Sequence, residues 1–268
     1  MKKEDLWGAI AQMREKAPLV LSITNFVVMN NTANALLAAG ASPIMAHASD
    51  EIEDMVALCG ATVINIGTLD AAFVNSMKMA LRKADELGKP TVLDPVGAGA
   101  TAYRNRVIDE LFGIATPSFV RGNAGEIMTV AGLSVTSKGV DSTASSDESV
   151  EAGIRLAREK QTVVSISGPT DYITDGVKLA RVENGSHLMP LVTGLGCTAS
   201  ALLGAMAAAV PDRLLAATAA AALLAVSGEI AATLAAGPGT LQLHLYDVLH
   251  TLTEQQFMDM VRFEVGKA

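Results

Sequence analysis

Six short apolar runs, each giving way to a longer stretch of helical periodicity, constrain this chain more than any other feature. They cover residues 19–23, 43–45, 62–66, 91–93, 118–120 and 162–166, and each leads through Gly, Asp, Asn or Thr into a helix-like segment. Strands that recur at this spacing are joined by helical crossovers. The rhythm therefore predicts an α/β fold with a mostly parallel central sheet and helices on both faces. Residues 171–174 and 178–183 flank Asp175-Gly176, the signal of a tight hairpin. After Cys197 the chain reads as almost wholly helical. Apolar runs at 201–210 and 214–226, split by Pro211-Asp212-Arg213, read as a buried helical hairpin; each falls short of the ~20 residues that cross a bilayer. A polar run at 134–149 reads as a surface loop ending at a helix N-terminus, with Ser145, Ser146 and Asp147 as candidate caps. With no linker and no repeat, residues 1–268 are expected to form one domain.

Composition narrows the function classes. Half of the residues are hydrophobic but only 4% are aromatic, so the core has to be built from Ala, Val, Leu, Ile and Met in closely packed helices. A net charge of −8 without any Lys or Arg run leaves no polyanion-binding face, and nucleic acid is not an expected partner. The start, Met1-Lys2-Lys3-Glu4-Asp5, lacks an apolar signal core, and Cys59 and Cys197 are too few for a disulfide framework. A cytoplasmic protein with free thiols and no membrane partner is the expectation.

Open parallel sheets bind ligands beyond the carboxyl ends of their strands. The residues found there are Thr24 and Asn25, Met45, Asn65 and Gly67, Asp94, Arg121 with Asn123 and Glu126, Ser167 and Gly168, and the loop at Gly194. That loop, Val192-Thr193-Gly194-Leu195-Gly196-Cys197-Thr198-Ala199-Ser200-Ala201, sets two glycines, a thiol and three hydroxyls ahead of an apolar helix. Amides at a helix N-terminus carry partial positive charge and lack partners, so this turn is a candidate phosphate cradle. Cys197 lies within it, where the same dipole favours a thiolate. Asp94 ends a buried strand ahead of a Pro-Gly turn and suits Mg²⁺, which takes one or two carboxylates and fills its shell from water and phosphate. Glu126, three residues after Asn123, fits either a plain capping box or the same magnesium. Arg121 is able to fork onto phosphate oxygens, with a surface ion pair as the alternative. Rival motifs fail. There is no G-x-x-x-x-G-K-[ST], and the loose G-x-G-x-x-A at Gly194 lacks a strand ending in an acid about 20 residues on. His47, His187, His244 and His250 show no metal spacing with either cysteine.

Taken together, Asp94-Pro95-Val96-Gly97-Ala98-Gly99, Gly122-Asn123-Ala124-Gly125-Glu126 and Thr193-Gly194-Leu195-Gly196-Cys197 resemble the hydroxyethylthiazole kinase family of the ribokinase-like superfamily. The likeness extends over nearly the whole chain, including residues 23–34 and 40–46. It implies a ribokinase-like fold and ATP-dependent phosphorylation of the primary alcohol of 4-methyl-5-(2-hydroxyethyl)thiazole, a thiamine-salvage reaction, with Mg²⁺. It also implies a homotrimer with its thiazole sites between subunits. By matching positions, Met45, Gly194 and Asn25 face the thiazole, while Arg121, Ser167, Asn123 and Gly196 face the nucleotide. Asp94 and Glu126 then serve magnesium and phosphates, and Asp94 and Cys197 form the catalytic pair. Related sugar kinases carry Asp where this chain has Cys197. Because phosphoryl transfer through a loose transition state depends mostly on positioning and charge, Cys197 fits as an orienting group or modest base. Ser167 stands where some members carry Thr, and residues 237–244 are less aromatic than the family pattern. A kinase for hydroxymethylpyrimidine or a small sugar is one alternative, against which the missing glycine-loop Asp speaks. A non-catalytic nucleotide sensor is another; it would keep Arg121 and the loop but have no need of Asp94 and Glu126.

Overall fold

The strand runs carry side chains that are apolar on both sides, which suits strands covered on both faces. In a computed structural model describing residues 1–133 and 146–268 they all form strands of one sheet. Along the chain the elements are α1 (Lys3–Lys16), β1 (Leu19–Ile23), α2 (Met29–Ala39), β2 (Ser42–Ile44), α3 (Ile52–Leu58), β3 (Ala61–Asn65), α4 (Ala71–Glu86), β4 (Thr91–Asp94), α5 (Ala102–Phe112), β5 (Phe119–Asn123), α6 (Ala124–Val130) and α7 (Ser146–Lys160). There follow β6 (Val163–Ser167), β7 (Asp171–Thr174), β8 (Lys178–Val182), a 3-10 turn (Met189–Leu191), α8 (Leu195–Ala209), α9 (Arg213–Leu234), α10 (Pro238–Thr251), α11 (Glu254–Met260) and β9 (Phe263–Lys267). Strand order is β2-β1-β3-β4-β5-β6-β7-β8-β9; pairing is parallel up to β6 and antiparallel from there to β9.

Alternation along each strand sends side chains to opposite layers. Val20, Val63, Val92, Phe119 and Val163 join the cluster formed with α1, α2, α8, α9 and α10. Leu21, Ile23, Ile64 and Leu93 face α3 and α4, and Val120, Val164 and Ile166 face α7. Polar caps set where helices begin: Asp70 accepts from Phe73 N and Thr101 from Arg104 N after strands, and Asp212 from Leu215 N after α8.

Four expectations change. The almost wholly helical stretch after Cys197 ends in a strand that was not expected, β9, which closes the sheet antiparallel to β8 with Lys178 opposite Lys267. Its five residues include a glycine and two charges, so the strand draws on β8 rather than on its own pattern. Arg121 stands inside β5 rather than beyond it. The apolar run at 214–226 belongs to a 22-residue helix, α9, long and apolar enough to span a bilayer, yet 78% of its most apolar window is buried within the protein. Asp147 lies in the first turn of α7 rather than capping it. The cap at Ser145, and most of the 134–149 loop, fall outside the described residues, as does the Ser146 side chain.

Candidate active site

Register lines up one polar row across the carboxyl ends of the strands. Asn65 pairs with Asp94 and Arg121 with Ser165. Ile23 pairs with Ile64, which brings Thr24 beside Asn65, and Leu93 pairs with Val120, which brings Asp94 beside Arg121. All continue the alternation of Val20, Val63, Val92, Phe119 and Val163, so the row lies on the α8 side of the sheet.

The N-terminus of α8 sits over this row. Gly194 is its N-cap at φ 85°, a left-handed conformation, and a Cβ there would stand 2.5 Å from Val28 Cγ1. Backbone and packing both call for glycine. Thr198 N donates to Gly194 O at 2.8 Å, whereas the N–H groups of Leu195, Gly196 and Cys197 meet no acceptor among the described residues. The Arg121 guanidinium lies against this turn, 2.8 Å from where a Gly196 Cβ would be. It is half-buried and makes no hydrogen bond or ion pair among the described residues. Unmatched donors and a cation thus converge on one point, which is the physics of an anion site.

Below the same turn the polar groups satisfy one another. Asp94 Oδ2 accepts from Asn65 Nδ2 at 2.8 Å and from Ser200 Oγ at 2.7 Å. Asn65 Nδ2 also donates to Cys197 Sγ at 3.2 Å, and Asn25 Nδ2 donates to the same sulfur at 3.4 Å and to Asn65 Oδ1 at 2.9 Å. Burial pushes the Asp94 carboxyl up to about 6, against the pull of Arg121 and with Glu126 adding to the rise. The Cys197 thiol is pushed up to about 11, by burial first and by the Asp94 charge second. The dipole-favoured thiolate expected at Cys197 is therefore not what the fold provides. Burial and the Asp94 charge outweigh the two amide N–H groups and Arg121, and the sulfur keeps its proton at neutral pH.

Glu126 is buried, and both of its oxygens accept backbone N–H groups, Oε1 from Gly97 and Oε2 from Asn123, each at 2.8 Å. With Asn123 Oδ1 accepting from Glu126 N, the capping box is complete. It also ties α6 to the 94–99 loop. Ser167 Oγ reaches Gly122 O at 3.4 Å. Opposite it at the start of β7, Asp171 accepts from Gly168 N at 3.1 Å, and burial pushes its carboxyl up to about 6 against the pull of that N–H and of Arg121. Met45 follows β2, at the far edge of the row from Arg121, beside the segment that carries His47. There Phe26, His47 and Phe73 form a ring cluster with centroids 4.7–6.5 Å apart.

In the sequence Asn65 shows only as a strand-end residue and Ser200 only as a hydroxyl of the glycine loop, and nothing there points to Arg104. A polar residue in the inward slot after Val63 was the one available signal for Asn65. Arg104 donates to Ile66 O, Gly67 O and Val96 O at 2.5–2.9 Å, holding two site loops together from α5. Asn25, expected at the substrate, has both amide hydrogens engaged inside the network.

The architecture is that of the ribokinase-like proteins. A ribokinase-like superfamily protein from Enterococcus faecalis superposes at a TM-score of 0.69 with 12% identity, over 96% of this chain and 95% of that one, a likeness of fold. The particular family follows from closer relatives. Residues 10–255 match the model of the hydroxyethylthiazole kinase family, and the chain belongs to that family. It is 54% identical over 240 residues to the hydroxyethylthiazole kinase of Leptospira biflexa, covering 90% of each chain. The structure of the hydroxyethylthiazole kinase protein from Pyrococcus horikoshii, 42% identical, matches at a TM-score of 0.90 over 98% of this chain and 99% of that one.

Proposed function

We propose that this protein transfers the γ-phosphoryl group of ATP to the primary alcohol of 4-methyl-5-(2-hydroxyethyl)thiazole, a step of thiamine salvage. One observation carries the reading: the amides of Leu195, Gly196 and Cys197 and the Arg121 guanidinium, which meet no acceptor among the described residues, come together at the start of the helix whose Ser200 holds the buried Asp94. Cradle and guanidinium hold the transferring phosphoryl group, over whose oxygens charge is spread in a loose transition state. Ser167 and Asn123 border the nucleotide side, and Met45 with Gly194 border the thiazole side. Cys197, still protonated, orients the alcohol while its sulfur accepts two amide N–H groups. Asp94 Oδ1, which takes no hydrogen bond among the described residues, is the acceptor for the alcohol proton.

The donor set fits magnesium. No cluster of three His, Cys, Asp or Glu side chains occurs among the described residues, but a hard cation shared with phosphate needs only one or two carboxylates. Glu126 would offer its remaining lone pairs, and Asp94 would hold the ion's waters by its charge while Oδ1 stays free for the alcohol proton. When bound, the ion neutralises charge on the phosphoryl oxygens. A trimer with sites between subunits is part of this proposal. Phe26, Val27, Leu191 and Leu243 are 58–64% exposed on segments bordering the cleft, on α10 or ahead of the cradle, and a neighbouring copy would cover them. The two free thiols support a cytoplasmic setting.

A coupled ADP-release assay with and without hydroxyethylthiazole tests the activity. Turnover that requires both the thiazole and Mg²⁺ is expected; ADP release indifferent to the thiazole overturns it. Sedimentation at micromolar concentration is expected to show one trimeric species, and a monomer removes the shared-site part.

A further inference from the structure

Asn65 is 1% exposed, and every hydrogen-bonding position of its amide is filled. Oδ1 accepts from Asn25 Nδ2 and from Gly67 N, both at 2.9 Å, while Nδ2 donates to Asp94 Oδ2 and to Cys197 Sγ. The amide has one workable orientation. Rotated by half a turn it would set oxygen against the Asp94 carboxylate and N–H against the Gly67 N–H. Asn25 is fixed in the same way, because Asn65 Oδ1 requires a donor and Val27 N finds its acceptor in Asn25 Oδ1 at 3.2 Å. Gly67 locks the pair sterically: a Cβ there would stand 2.7–2.8 Å from three atoms of the Asn25 side chain. The Gly67 carbonyl is in turn held by Arg104.

Resting on the kinase reading above, we propose that the Asn25–Asn65 amide pair, buttressed by Gly67, is the positioning device of the acceptor pocket. It holds the carboxylate of Asp94 and the sulfur of Cys197 at a fixed separation and orientation beneath the cradle. Asn65 acts through its two partners and touches neither reacting atom. A single side chain whose two N–H groups end on the two catalytic candidates couples them, so that neither adopts another rotamer without leaving an amide hydrogen unpaired. Pre-organisation of this kind matters because misplacement by about 1 Å lowers turnover by about 10²-fold.

The test uses Asn65→Leu, close in volume and without polar atoms, and Gly67→Ala, which leaves Asn65 intact and displaces Asn25. Asn65→Leu is expected to lower kcat by about 10²-fold with both KM values within about threefold of the parent, and Gly67→Ala by about tenfold. In an Asp94→Asn background Asn65→Leu is expected to add almost nothing, since the group it positions has already lost its charge. Crystal structures of both variants, which require no activity, are expected to show Asp94 or Cys197 in displaced or multiple rotamers. The proposal is overturned by kcat within about threefold of the parent in Gly67→Ala and Asn65→Leu. It is equally overturned by losses that multiply with Asp94→Asn, or by unchanged Asp94 and Cys197 positions in the crystals. A parent without thiazole-dependent turnover would sink the activity instead, and the crystals would still judge the positioning role.

Discussion

The two halves of the polar row are built on opposite plans. Over β1, β3 and β4, Asn25, Asn65, Asp94, Cys197 and Ser200 satisfy one another, and the pocket is rigid by its own hydrogen bonds. Over β5 and the α8 turn, Arg121 and three backbone N–H groups face no protein acceptor among the described residues. A neutral alcohol gives little binding energy with which to order a pocket, so that side is ordered in advance. A polyanion brings strong charge-assisted hydrogen bonds, so donors on its side can remain unmatched until it binds. If this division is right, substitutions in the first half lower turnover and those in the second weaken nucleotide binding.

Asp94→Asn is the most damaging substitution on this view. The amide keeps the volume and an acceptor for Ser200 but removes the charge, and kcat is expected to fall by about 10³-fold without loss of melting temperature. Near-parental turnover in a stable variant would make Asp94 a turn residue and dissolve the acceptor half. Arg121→Ala comes next, with kcat/KM for ATP lowered by about 10²-fold and KM for the thiazole almost unmoved. Arg121→Lys should recover part of this, because an ammonium restores charge without the fork. Equal weakening of thiazole and ATP would show that the halves are not separate.

How much of this was legible beforehand follows the same division. The strand ends were readable because buried parallel strands are unbroken apolar runs, so Asp94, Arg121 and the Gly194 turn could be assigned to one edge. Which of them touch was not readable. Asn65 meets Asp94 through the register of β3 on β4, and Ser200 meets it because α8 turns that face to the sheet. Neither fact exists in local sequence. The Cys197 thiol differs from its expectation for a similar reason: the helix end is visible in the sequence, and the desolvation and the neighbouring Asp94 charge that raise the thiol are not.

Cys197 tests the acceptor half at lower amplitude. A thiol pushed up to about 11 is a poor base at neutral pH, so Cys197→Ser should remain within about tenfold of the parent rather than losing the 10² or more expected for a positioned base. Cys197→Asp should match or exceed the parent, since Asn25 and Asn65 already direct N–H groups at that position and would stabilise a carboxylate. An Asp variant that binds both substrates normally and turns over neither would contradict the orienting role.

The smallest effect concerns Asp171, at the outer margin of the phosphate half. Its carboxyl is raised to about 6 in the fold from an ordinary value near 3.8, with desolvation the main cause. The folded protein therefore holds this proton more tightly than the unfolded chain does. Its contribution to stability is fully present below about pH 4 and is lost as pH rises through about 6. Asp171→Asn keeps an acceptor for Gly168 N and has nothing to titrate. Melting curves should place the variant slightly above the parent at pH 8, with the gap closing as pH falls toward 4. The rise is small because Asp171 keeps part of its surface in solvent, which screens its charge, and because the Gly168 N–H and Arg121 offset part of the desolvation. A parent that melts above the variant at pH 8 and loses that advantage as pH falls toward 4 would mean that Arg121 rather than burial governs this carboxylate. In that case the guanidinium already has a partner, and the contrast between a satisfied half and an unsatisfied one would have to be redrawn.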